Sequence, residues 1–152
     1  MLHDKKHVSS WKKVLESDLE NIAIELKDTI ASPCIVILSG SVGAGKTTFT
    51  KAFLDEESTS SPSYSIVNVV GNTVHADFYR IENREEIIHL ELPLYMENKM
   101  FCFIEWGSNF INDIYNELGE DYKYYDLEIL VNDSAEESDV PSRNFILNEL
   151  RI

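Results

Sequence analysis

At 152 residues, with 27 acidic against 13 basic side chains, the chain carries a formal net charge of −14, which opposes direct binding to nucleic acid or an anionic membrane. The length suits one domain over residues 1–152, large enough to bury a core. No apolar run approaches the roughly 18 residues of a membrane span and no apolar leader follows Met1, so a cytoplasmic protein is expected.

Residues 1–10 are polar and read as loosely ordered, and Trp11 to Leu15 as a short first strand. Ser17 followed by Glu20 is a helix-start signal, with Leu19, Ile22, Ala23, Leu26 and Ile30 on one face of the helix that follows. Cys34 to Leu38 is a continuous apolar run, as expected of a strand covered on both faces. Cys34 and Cys102 both lie in such runs and read as buried, reduced thiols.

Gly40-Ser41-Val42-Gly43-Ala44-Gly45-Lys46-Thr47-Thr48 then fits G-x-x-x-x-G-K-[ST], the phosphate-binding P-loop, between a strand and a helix carrying Phe49, Ala52 and Phe53. The residue types follow from the chemistry. A triphosphate needs many N–H donors aimed at one place. Glycines let the backbone approach closely and take positive φ, and the helix N-terminus adds its dipole. Lys46 would reach the β/γ-phosphates and the Thr47 hydroxyl a Mg2+ ion.

The helix is expected to run to about Glu57. The hydroxyl-rich Ser58 to Ser63 reads either as a surface turn or as a switch loop in which Ser63 senses the γ-phosphate or Mg2+. Gly71-Asn72 between two β-rich runs predicts a hairpin, Tyr64 to Val70 and Thr73 to Tyr79. Asp77 near the end of its second arm is locally unfavourable in a strand, which hints at a role; an edge residue facing water is the plain alternative. His75 reads as a residue of the hairpin face. Asn83 to Leu92 reads as a short acidic helix with Ile87, Leu90 and Leu94 inward and His89 at the surface.

Met100 to Ile104 is a second buried-strand run, and it closes on Glu105-Trp106. An acid at the carboxyl end of such a strand has the Walker B form: it can hold Mg2+ directly or through water, or orient the attacking water. Phe110, Ile111, Ile114, Tyr115 and Leu118 mark an amphipathic helix stopped by Gly119. Tyr125, Leu127, Ile129 and Val131 alternate as in a half-buried strand, Asn132 to Asn144 is a polar loop, and Phe145 to Ile152 returns as a last strand. The four arginines, Arg80, Arg84, Arg143 and Arg151, form no lid of the kind small-molecule kinases use, and none is placed at the P-loop by its sequence context.

Four ordered segments, Gly43 to Phe49, Ser61 to Asn68, His75 to Arg80 and Phe103 to Trp106, resemble the TsaE (YjeE) family, bacterial ATPases required for threonylcarbamoyladenosine modification of tRNA. The resemblance implies an α/β, three-layer P-loop NTPase fold on a mixed, mostly parallel sheet, with an antiparallel strand pair at the C-terminus. It implies ATP and Mg2+ as ligands and a TsaD–TsaB transferase pair as partner. By position, Val42, Gly43, Ala44, Gly45, Lys46, Thr47 and Thr48 would cradle the phosphates, and Thr47 and Glu105 would hold the metal. Asp77 would be a second essential acid near the γ-phosphate, Trp106 would form the site wall, and Ser61 to Tyr64 would be the switch loop. Lys46, Asp77 and Glu105 are therefore the candidate catalytic residues. Ser63 stands where the family has threonine, Leu19 near a family threonine associated with the nucleotide, and Ser108 where many members carry an acid. A small-molecule kinase and a nucleotide-gated binding module remain the alternatives.

Overall fold

The computed structural model describes residues 4–41, 43–54, 66–132 and 141–152. Seven strands, β1 (Asp4–Val14), β2 (Cys34–Ser39), β3 (Val67–Val70), β4 (Thr73–Asp77), β5 (Phe101–Glu105), β6 (Lys123–Val131) and β7 (Arg143–Arg151), form one sheet in the order β1-β7-β6-β2-β5-β4-β3. The helices are α1 (Leu19–Thr29), α2 (Lys46–Leu54), α3 (Arg84–Leu90), α4 (Leu92–Met96) and α5 (Ile111–Leu118). The centre of the sheet, β6-β2-β5-β4, is parallel, and both flanks are antiparallel.

The apolar run of β2 is buried throughout because helices cover both faces. Cys34, Val36 and Leu38 join a core with α1 and α2, whereas Ile35 and Ile37 join a second core with α3, α4 and α5. In the first core Phe53 packs on Phe103 with ring centroids 4.4 Å apart, and Phe49 on Phe145 at 5.2 Å. Each fully buried phenylalanine is worth about 1.5–3 kcal/mol, so α2, and with it the loop before it, is firmly docked.

Several expectations change. Residues 4–10 are ordered as part of an eleven-residue edge strand, β1, paired to β7, instead of forming a loose leader before a short strand from Trp11. Most of its side chains are exposed, so the backbone ladder, not an apolar face, holds it. The expected Ser17 cap gives way to a 3-10 turn over Glu16–Asp18, where the Asp18 carboxylate accepts from the Leu15 N–H at 2.9 Å. The acidic helix is capped by Asn83 but breaks at Glu91 (φ 56°) into α3 and α4; Ile87, Leu92 and Met96 are buried, and Leu94 faces solvent. Along β6, Tyr124 to Leu127 are consecutively buried, because the strand lies inside the sheet, and Val131 is exposed. The β3–β4 hairpin turns at Gly71-Asn72, α5 stops at Gly119, and β7 returns against β6, all as the sequence indicates.

Candidate functional site

Three parallel strands deliver the site from their carboxyl ends, where open α/β sheets bind ligands. Their register aligns Leu38 of β2 and Asp77 of β4 on either side of Glu105 of β5. From β2 the chain enters the glycine-rich loop. Gly40, Gly43 and Gly45 take φ of 142°, 81° and 103°, values that L side chains rarely adopt. The Ala44 N–H donates to Ser41, and α2 begins at Lys46. A Cβ on Gly43 would meet no atom of the described residues within 4 Å, which leaves that side of the loop room for a ligand.

The side chains converge. Thr47 donates its hydroxyl to Glu105 Oε1 at 2.9 Å, and His75 Nε2 lies 2.6 Å from Glu105 Oε2. Burial pushes the Glu105 carboxyl up, but the hydrogen bonds and charge of His75, the Thr47 bond and the Lys46 charge outweigh it and hold the group below the usual carboxylate value. It is therefore an anion at neutral pH although only 3% exposed. Lys46 donates to the Gly40 carbonyl at 3.0 Å, and its ammonium lies 3.5 Å from the centroid of the Trp106 ring. Burial pulls its pKa down, opposed by the charges of Glu105 and Asp77. Trp106 has φ +61°, uncommon for a bulky residue, and its ring is backed by Tyr79 at 5.3 Å. Asp77 accepts from the Tyr79 N–H at 3.0 Å. A cleft of about 240 Å3 opens here between Leu38, Gly40, Lys46, Trp106 and Asn109.

The donor set suits a hard cation and an anion together. Among the described residues no three His, Cys, Asp or Glu side chains gather at one point. A metal would therefore rest on the Thr47 hydroxyl, the Glu105 carboxylate and oxygens brought by its ligand, the mode Mg2+ favours with phosphates.

Of the sequence candidates, the structure gathers Gly43, Ala44, Gly45, Lys46, Thr47, Thr48, Asp77, Glu105 and Trp106 at one end of the sheet. Val42, Ser63 and the whole Ser58 to Ser63 segment lie outside the described residues, as does the end of the helix beyond Leu54. Two residues were not placed here by sequence reasoning. His75, read as a hairpin-face residue, binds Glu105. Its position two residues before Asp77, on the same face of one strand, was the available signal. Arg143, which no sequence feature aimed at the loop, lies against it: Nη2 is 3.4 Å from the Gly43 carbonyl, and Nε is 3.2 Å from where a Cβ on Gly45 would sit. The pairing of β7 with β6 brings it there, and no local pattern announces that.

A family model described as threonylcarbamoyl adenosine biosynthesis protein TsaE matches residues 14–140. The tRNA threonylcarbamoyladenosine biosynthesis protein TsaE of Haemophilus influenzae is 35% identical over 82 residues, 49% of this chain and 52% of that protein. The protein of the same name from Bacillus subtilis is 34% identical over 106 residues, 64% of this chain and 65% of that one. The one from Nostoc is 30% identical over 123 residues, 71% and 75%. The chain thus spans about half and just under two thirds of the first two relatives. A crystal structure of Bacillus subtilis YdiB superposes with a TM-score of 0.58 at 23% identity, over 99% of this chain and 90% of that one, and so shares the fold. No described helix is long and apolar enough to cross a membrane.

Proposed function

The chain belongs to the TsaE family, and we propose that it is a single-domain P-loop ATPase, cytoplasmic, which binds ATP and Mg2+ and assists N6-threonylcarbamoyladenosine modification of tRNA at A37 through a TsaD–TsaB-type protein pair. The observation that carries this reading is the Thr47–Glu105 contact of 2.9 Å beside Lys46, at the mouth of a loop whose three glycines all have positive φ.

In this reading the loop N–H groups and the N-terminus of α2 bind the phosphates. Lys46 exchanges the Gly40 carbonyl and the Trp106 face for phosphate oxygens, which relieves its buried charge. Thr47 and Glu105 would hold Mg2+, which would supply positive charge to the bound phosphates. Asp77, at the next strand end, is near enough for its charge to act on Lys46 and would help orient the attacking water. The acidic surface leaves tRNA to the partner proteins.

The test is ATP turnover by the purified protein alone and with a TsaD–TsaB pair. Turnover below the enzyme median of about 10 s−1 alone, accelerated by the pair, supports the reading. Partner-independent fast hydrolysis would refute it, and so would phosphoryl transfer to a small metabolite, which would favour a kinase. ATP binding that changes partner affinity with no turnover would leave a nucleotide-gated module.

A further inference from the structure

Among the described residues, His75 is the one charged or polar contact to the buried Glu105 carboxylate that the nucleotide reading does not use. The two side chains are 18% and 5% exposed, and 2.6 Å separates Nε2 from Oε2. An ionised carboxylate only accepts, so Nε2 carries the proton of this bond. The ring is fixed in an interior strand, where β4 lies between β3 and β5 and the register neighbours of His75 are Asn68 and Phe103. The two oxygens of Glu105 are thereby divided. Oε2 is committed to His75, and Oε1 alone faces the Thr47 hydroxyl.

We infer that His75 is a positioning residue that makes Glu105 a one-oxygen ligand and so biases the site toward Mg2+ over Ca2+, an inference that rests on the nucleotide reading above. The physical reason is coordination. Mg2+ requires a compact octahedron and takes carboxylates through single oxygens or water. Ca2+ takes six to eight ligands and readily accepts both oxygens of one carboxylate. A fixed imidazole on the second oxygen holds the carboxylate in the orientation that presents Oε1 and disfavours that bidentate grip. With His75 removed, the Glu105 side chain gains the freedom to turn and present both oxygens. The partners behind a ligand commonly change metal affinity by about 10- to 100-fold.

The experiment measures ATP affinity by calorimetry for the wild type, His75→Ala and His75→Gln, each in EDTA, Mg2+ and Ca2+. Thermal unfolding of each variant confirms the fold. Gln carries an amide N–H at about the reach of Nε2, so it tests whether the hydrogen bond itself matters. For His75→Ala, the gain in affinity on adding Mg2+ should fall about 10-fold, the gain with Ca2+ should fall less or rise, and His75→Gln should recover most of the wild-type preference. A Mg2+/Ca2+ preference that His75→Ala leaves unchanged overturns the inference. Equal losses with both cations that Gln does not restore overturn it too, because they mark His75 as packing alone. A wild type that binds no ATP in any of the three conditions removes the nucleotide reading itself, and that arm is scored before the variants.

Discussion

Gly40→Ala tests whether the glycine-rich loop is shaped as described. An added Cβ would lie 2.5 Å from the Ile129 carbonyl oxygen, in backbone that pairs with Phe145 of β7 and cannot swing aside like a side chain. To reach even 3.0 Å the loop or β6 must move by about 0.5 Å. The residue also has φ 142°, a region that is essentially glycine's own. Backbone strain of about 1–3 kcal/mol and a similar overpacking cost give a destabilisation of roughly 2–6 kcal/mol. For a chain of this length that lowers Tm by roughly 5–20 °C. Gly43→Ala is the matched control: its φ is 81°, but its Cβ would meet nothing among the described residues within 4 Å, so only about 1–2 kcal/mol of conformational cost applies. Calorimetric or circular-dichroism melting compares the two. Equal Tm values, or a Gly40→Ala protein as stable as wild type, would refute the loop geometry.

The remaining expectations concern single groups. Glu105 has a folded pKa below its ordinary 4.5, so its contribution to stability should be complete above about pH 4.5 and be lost as pH falls through the lower folded value. The urea-stability gap between wild type and Glu105→Gln should therefore close at acid pH; a gap independent of pH would show that the carboxylate is not held as an anion. Burial pushes the Cys34 thiol up from 9.0 to about 12 and raises Cys102 too, so native labelling by a thiol reagent at pH 8 should run roughly a thousandfold below a free thiol, with two equivalents reacting on unfolding. Rapid native labelling would contradict the two-faced burial of β2 and β5. Asp77→Asn should impair ATP hydrolysis more than ADP affinity, and equal turnover would leave Asp77 only as the acceptor for the Tyr79 N–H.

The parts of the fold that announce themselves are those whose pattern is local. The solid apolar runs of β2 and β5 have no polar face because both faces are covered, and the Gly71-Asn72 turn leaves little choice but a hairpin. The Lys46, Thr47 and Glu105 constellation was legible for the same reason, since motif and strand end lie on single segments. What escaped depends on partners distant in sequence. β1 is mostly solvated, so its pattern resembles a loose tail, and only β7, more than a hundred residues on, makes it a strand. Four consecutive buried residues in β6 follow from strand neighbours on both sides, which alternation cannot reveal. His75 and Arg143 reach the site through strand order, a property of the whole sheet.

The central claim is that the loop before α2 binds the phosphates of ATP with Lys46 as their cation. Calorimetric titration of ATP into the wild type and Lys46→Ala, with Mg2+ present, tests it most directly. A charge-assisted contact of about 1.5–3 kcal/mol predicts wild-type binding that weakens about 10- to 150-fold in the variant. Because Lys46 bears a burial penalty in the free protein, the variant's Tm should stay within a few degrees of wild type. Identical ATP affinity in the two proteins, or no binding by the wild type, would contradict the account.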